Sequence, residues 1–328
     1  MTLLPQNFRN LFLALFCALL TVFAITVQAQ NWPDKPIHLI VPFPPGGGTD
    51  TFARPLAAQL SKELGQQVIV ENKGGAGGTI GAAIAAKAPS DGYTILMGAV
   101  HHTVAESIYK NLPYSLDKDL IAIRGVAFVP DVLVVNNKLP INSVKDLIAY
   151  SKANPGKVNY GSSGNGTTRH LAGEIFNKLT GTSFVHVPYK GSGPAMTALI
   201  GGEVDIIFEG LGSAASYIRA GSIRALAVTS PKRSPAFPDI PTMAQAGVSG
   251  FESISWYGFW VPNGTPQSIQ DKIFIATTKA LNAPEIKTLW ANQGADTGPT
   301  TQKQFIQYVK DETEKWGKVA KTANVSID

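Results

Sequence analysis

The sequence predicts an α/β protein of two lobes, and three observations carry that expectation. Short apolar runs lead four times into a glycine- or serine-rich turn that opens a helical pattern, at residues 41–50, 74–79, 162–168 and 188–195. A second unit of this design begins at residue 132. Three helical patterns follow an aromatic strand at the end of the chain and most economically return to the first unit, so two crossings join the lobes.

The opening residues stand apart. Arg9 supplies a short positive region, residues 11–27 are almost wholly apolar, and Val27-Gln28-Ala29 places a small residue before a cut, so 1–29 reads as a cleaved secretory signal. The alternative is a retained membrane anchor. Cys17 follows Phe16, where lipid attachment wants a small residue, so the mature chain keeps no cysteine. An exported chain without disulfides rests on its core alone, and about 300 residues suffice for two domains. The 28 Lys and Arg against 23 Asp and Glu are scattered, which argues against a nucleic-acid partner.

The first strand, Ile37 to Val41, runs into P-F-P-P-G-G-G-T-D and a helix expected from near Asp50. Gly46, Gly47 and Gly48 are expected at positive φ, with their N–H groups turned to a ligand, and a helix N-terminus adds partial positive charge, so the turn suits an anion. It matches neither the Walker pattern, since Thr49 and Asp50 follow the last glycine, nor a dinucleotide fingerprint. A turn whose glycines serve only geometry is the plainer reading. Phe52, Leu56, Leu60 and Leu64, with Gly65 as the cap, mark the helix that follows.

A second strand, 68–70, meets Gly74-Gly75-Ala76-Gly77-Gly78 and a small-residue helix over 79–86. Strand 93–97 then leads to His101 and His102. Adjacent histidines diverge in any regular element and have no Cys or acidic partner at ligand spacing, so no metal is expected, but their place after a strand makes a wall of the cleft.

The second unit reads strand 132–135, helix 144–153, turn 154–156 and strand 158–161, then S-S-G-N-G-T-T. Ser and Thr at a helix start are caps first, yet four hydroxyls around two glycines exceed what one cap requires. Leu171, Ile175 and Leu179 predict the buried stripe of the next helix. His170 near Ser163 suggests a hydrolase, but Asn165 stands where the nucleophile elbow needs its last glycine. Strand 184–187 leads through P-Y-K-G-S-G-P-A to a helix over 195–200, with Lys190 as the cation within these loops. Asp205 and Glu209 flank the strand 204–208; an acid beside an anion site must fix a donor side chain or receive an amine. Helix 213–220 and strand 225–228 complete the unit. A proline-rich strap, 232–243, precedes the aromatic strand 255–260 and helices over 268–281, 284–293 and 301–323, the last buried through Phe305, Val309, Trp316 and Val319.

Taken together these motifs resemble the extracytoplasmic solute receptors of the tripartite tricarboxylate transporter family, also called Bug receptors. The resemblance spans essentially all of the mature chain: W-P-D-K-P-I from Trp32, P-F-P-P-G-G-G-T-D, V-E-N-K-G-G-A-G-G from Val70, S-D-G-Y-T from Ser90, L-P-Y from Leu112, G-S-S-G-N-G-T-T-R-H-L from Gly161, H-V-P-Y-K-G-S-G-P-A from His186 and W-Y-G-F from Trp256. It implies a periplasmic binding protein-like fold of the Venus-flytrap type, two α/β lobes joined by two crossover strands, with lobe 1 formed by 30–131 plus 255–328 and lobe 2 by 132–254. It implies a monomeric receptor without catalysis, cofactor or metal that captures a small organic carboxylate and delivers it to membrane permease subunits. The ligand is left open between a di- or tricarboxylate, an amino acid and an aromatic acid. The implied contacts fall on Phe43, Gly46, Gly47, Thr49 and Asp50 in one lobe and on Ser162, Ser163, Thr167, Tyr189, Gly191 and Ser192 in the other. Glu209 is the further implied contact: where many such receptors carry Asp-Asn, this chain has Glu209-Gly210, so the part that reads the ligand's far end is expected to differ. The competing class is an α/β enzyme, a hydrolase around Ser163 and His170 or a transferase using the glycine loops.

Overall fold

The computed structural model describes residues 32–323, so the expected signal segment lies outside the described residues. The contacts of the chain divide it into Met1–Asp34 and Lys35–Asp328, and the architecture below is that of the second unit.

In chain order the elements are β1 (Ile37–Val41), α1 (Gly48–Leu64), β2 (Val68–Asn72), α2 (Thr79–Ala86), β3 (Thr94–Ala99), α3 (Val100–Ile108), β4 (Leu120–Val135), α4 (Val144–Ala153), β5 (Asn159–Ser162), α5 (Thr168–Thr180), β6 (Val185–Pro188), α6 (Ser192–Gly201), β7 (Ile206–Gly210), α7 (Leu211–Arg219), β8 (Arg224–Val228), β9 (Ile254–Pro262), α8 (Gln267–Asn282), α9 (Pro284–Asn292) and α10 (Gln302–Ala323). β1 pairs in parallel with β2 and β3, and β5 in parallel with β6 and β7. Each set is therefore wound with crossover helices, and the turns at the carboxyl ends of its strands share one side.

β4 ties the two sets together. Its residues 120–130 run antiparallel to β9, and from Asp131 onward it pairs with β7 and β8. The expected strand 132–135 is thus only the end of a strand that starts at Leu120. Arg124, Gly125, Pro130 and Asp131 interrupt its apolar pattern, which hides it in the sequence. Two buried clusters follow the two halves. One gathers Leu96, Val104, Trp256, Trp260, Phe305 and Trp316; the other gathers Leu133, Leu147, Tyr160, Phe176, Phe208 and Phe251.

Most helices stand where periodicity puts them, but one buried face differs. In α5 the core takes Leu171, Ala172 and Phe176, while Leu179 is 49% exposed. Ile175 and Leu179 instead line a surface groove of ≈ 870 Å³ between α5, residues 250–253 and α10. Aromatic Phe176 stacks on Phe184 and takes the core position that a stripe of aliphatic residues had suggested. His101 and His102, expected in a loop, form part of the first turn of α3 directly after β3. Among the described residues no helix is long and apolar enough to cross a membrane.

Candidate functional site

The turn between β1 and α1 owes its shape to its glycines in two different ways. Only Gly46 sits at positive φ (85°), as expected; Gly47 is extended at φ −87° and Gly48 already begins α1, which corrects the expectation for those two. What Gly47 and Gly48 provide is clearance. A Cβ on Gly47 would lie 3.3 Å from Cβ of Ser192, and one on Gly48 would lie 2.1 Å from the Tyr257 hydroxyl. Nor are all the turn's donors free. Gly46 N–H donates to Asp50 Oδ2 at 3.1 Å, and Asn72 Nδ2 donates to Asp50 Oδ1 at 2.9 Å. Arg54 closes the set with an ion pair of 2.8 Å. Burial would raise the pKa of Asp50, but Arg54, Asn72 and Gly46 outweigh it and hold the carboxyl below its usual value. Asp50 therefore braces the turn.

Gly47, the residue capping α1, makes no side-chain cap bond, so the first N–H groups of the helix stay open to the cavity beside them. That cavity, ≈ 10 Å³, is lined by Phe43, Gly47, Gly48, Thr49, His101, Ser163, Arg169, Ser192 and Tyr257. It holds about one water-sized probe. Gly48 and Thr49 open α1, His101 is second in α3, Arg169 is second in α5 and Ser192 is first in α6. Four helix N-termini thus meet at one point, each carrying partial positive charge.

Three polar groups at this point lack protein partners. Ser163 Oγ and both ring nitrogens of His101 are buried and unbonded. Burial, aided by His102 and Arg169, holds the His101 pKa well below the usual value, so the ring is neutral and offers one donor and one acceptor. It packs edge-on against Phe43 at 4.5 Å.

Arg169 is the cation of the cavity. Its Nε and Nη2 donate to the two carboxylate oxygens of Glu209 at 3.0 and 2.8 Å, and the side chains are 5% and 1% exposed. Glu209 also accepts from Ser213 Oγ at 2.6 Å and from Gly210 N–H at 3.0 Å. Of the two roles open to this acid, it fixes a donor side chain. Burial opposes the charge of Arg169, but Glu209, Tyr257 and Asp131 raise its pKa on balance. Burial pushes the Tyr257 hydroxyl up to about 12. Asp131, wholly buried, accepts from Ser253 Oγ and Ser255 Oγ at 2.6 Å each, and burial raises its pKa.

The structure therefore brings together Phe43, Gly47, Thr49, Ser163 and Ser192 of the expected contacts and leaves Gly46, Asp50, Ser162, Thr167, Tyr189, Gly191 and Glu209 off the cavity wall. Ser162 Oγ lies 2.6 Å from His186 Nε2 and accepts from Gly164 N–H, while Thr167 Oγ1 donates to Gly164 O at 2.8 Å. Both hydroxyls shape the turn. His170 Nδ1 accepts from Gly166 N–H at 3.1 Å, so it supports the loop and makes no bond to Ser163. Lys190 is exposed. Arg169 and Tyr257, which line the cavity, lie within the T-T-R-H-L and W-Y-G-F motifs. A cation second in a helix opposes the helix dipole, and that local conflict was the signal for Arg169. Tyr257 sits within an aromatic strand and gave none.

Comparison with known proteins places this geometry. The sequence model described as "Tripartite tricarboxylate transporter family receptor" matches residues 52–325. The chain is 39% identical over 306 residues to Protein BugT of Bordetella pertussis, covering 93% of this chain and 94% of that one. Among solved structures it is similar to the periplasmic binding protein BugD, with TM-score 0.87 and 37% identity over 90% of this chain and 99% of that one. R. palustris Rpa4515, solved with adipate, gives the same values. MatC of Rhodopseudomonas palustris, with bound malate, gives TM-score 0.84 and 31% identity over 88% and 99%. The fold is that of two-lobed periplasmic solute-binding proteins, and the chain belongs to the tripartite tricarboxylate transporter receptor family.

Proposed function

We propose that the chain is a periplasmic receptor that takes up a small organic carboxylate between its lobes and hands it to the permease of a tripartite transporter. The observation that carries this reading is the meeting of four helix N-termini around buried, unpartnered Ser163 and His101. A carboxylate there accepts from backbone N–H groups and from the Ser163 and Ser192 hydroxyls, which are charge-assisted bonds. The relatives solved with adipate and malate support a carboxylate in this role. Phe43, Gly47, Thr49, Ser163 and Ser192 touch the ligand. Gly46, Asp50, Ser162, Thr167, Tyr189, Gly191 and Glu209 hold the turns and side chains that do.

The lobes are 30–131 with 255–328, and 132–254. They hinge where β4 passes from β9 to β7 and where the chain returns at Ser253 and Ile254. A cavity of ≈ 10 Å³ is far smaller than any di- or tricarboxylate, so the lobes part to admit one and close around it. The receptor works as a monomer and returns its ligand unchanged. Ser163 Oγ has no bonded base to activate it, and the family relatives are solute-binding receptors, which together favour the receptor over the hydrolase.

The direct test is a thermal-shift screen of organic acids followed by calorimetry. A true ligand at about 100 times its Kd stabilises the fold by roughly 2.7 kcal/mol; a purified chain that no acid stabilises overturns the reading. Cleavage near Ala29 is tested separately by mass spectrometry of protein recovered from the periplasm, where an intact first segment on the soluble protein refutes it.

A further inference from the structure

One wall of the cavity carries a cation that its surroundings do not favour. Arg169 stands second in α5, where the helix dipole repels positive charge, and it is nearly fully buried. A buried ion pair seldom adds net stability over apolar packing, so its place in a cavity wall calls for a use. Glu209, reaching from β7, takes up the Nε and Nη2 edge of the guanidinium and leaves Nη1 without a carboxylate. The floor there is ringed by Gly48, Gly210 and the Tyr257 hydroxyl. A Cβ built on Gly210 would press on Arg169 Nη2 at 3.2 Å, and one on Gly48 would run into the Tyr257 hydroxyl at 2.1 Å.

The charges around Arg169 sum to little. Arg169 is matched by Glu209, His101 is neutral, and Asp131 adds a second buried acid within electrostatic reach of the guanidinium. The partial positive charge that favours a carboxylate comes from the backbone turns, and Glu209 is itself tied to α7 through Gly210 and Ser213.

Resting on the receptor reading above, we propose that the Arg169–Glu209 pair sets ligand choice: Arg169 donates to an uncharged oxygen, a hydroxyl or carbonyl, at the far end of the bound acid, and Glu209 discriminates against a second carboxylate there. The ion pair then offers a donor without net charge. A dicarboxylate meets the like charge of Glu209, whereas a hydroxy or oxo acid satisfies the donors and brings no second charge to repel. Glu209 acts as a positioning residue and does not touch the ligand.

The test uses three probes of equal chain length, 4-hydroxybutyrate, succinate and butyrate, with their shorter and longer homologues, titrated by calorimetry into the purified receptor. The wild type is expected to bind the hydroxy acid at least about tenfold more tightly than the dicarboxylate. R169Q should weaken the hydroxy acid about 10- to 150-fold and bring it level with the unsubstituted acid. In E209Q the order should reverse, with the dicarboxylate first. A lost structural role weakens all probes alike and leaves their order unchanged, and that result overturns the proposal. So does a wild type that ranks the dicarboxylate first, a measurement that needs no variant and stands even if E209Q fails to fold. A wild type that binds none of the acids overturns the receptor reading itself and this proposal with it.

Discussion

At the scale of single residues, the two adjacent serines at the end of β5 have opposite tasks. Ser163 Oγ is buried with no protein partner, so Ser163→Ala should leave the melting temperature unchanged and weaken ligand binding about 10- to 150-fold, measured by calorimetry. Ser162→Ala strands the Gly164 N–H and the ring of His186, and should cost about 1 to 3 kcal/mol of stability in denaturant unfolding. His186 gives the same turn a pH dependence. Its ring stacks on His170 at 4.0 Å and on Tyr160 at 4.8 Å, and burial, with His170 adding to it, lowers its pKa to about 3 from 6.5. The unfolded chain therefore binds the extra proton first. The stabilising contribution is complete above pH 6.5 and is lost as pH falls toward the folded value. Against His186→Gln, the wild type should lose up to about 1 kcal/mol per pH unit in that window, the full linkage figure being discounted because the ring is partly solvated. Equal slopes for the two proteins in pH-resolved denaturant unfolding would contradict this.

At the scale of elements, the glycine turn before α1 separates backbone conformation from clearance. Gly46→Ala meets no atom within 4 Å but sits at φ 85°, so it should cost about 1 to 2 kcal/mol and leave closure intact. Gly47→Ala has an ordinary φ, but its Cβ presses on Ser192, so the fold should keep its stability while affinity drops. Melting curves paired with calorimetry tell the two apart, and a Gly47→Ala variant that binds like the wild type would refute the clearance role. Much of this architecture was legible in the sequence because glycines, caps and apolar runs act locally. Gly65 and Gly181 end α1 and α5 in left-handed geometry at the positions that periodicity marks. What was not legible depends on distant pairing. Glu209 meets Arg169 across 40 residues of chain, and nothing near either residue announces the other. The bond that holds Ser162 was hidden for the same reason, since His186 reaches it from the neighbouring strand. The true extent of β4 was hidden because half of it pairs with a strand from the far end of the chain.

At the scale of the molecule, the two crossings meet at Asp131. Its carboxylate accepts from Ser253 and Ser255 on the returning strand, and Thr229 donates to its backbone carbonyl at 2.9 Å. Asp131→Asn removes one of the two acceptor oxygens, so one serine loses its bond. The variant should be less stable by about 1 to 3 kcal/mol and should show a broader distribution of lobe angles by small-angle scattering. The wild type with a confirmed ligand should contract measurably in the same experiment, and an unaltered radius of gyration at saturation would sink closure while leaving the carboxylate site in place.

The rims that meet around the cavity are largely backbone. A Cβ on Gly193 would lie 2.8 Å from the carbonyl oxygen of Pro45, one on Gly77 would lie 3.2 Å from that of Asn165, and Gly164 approaches Gly77 in turn. Main chain looks much the same whatever the sequence, so the seam keeps one contour while the side chains beneath it change. Exchanging Arg169 or Glu209, which lie beneath these approaches, would leave the backbone contour at the seam as it is.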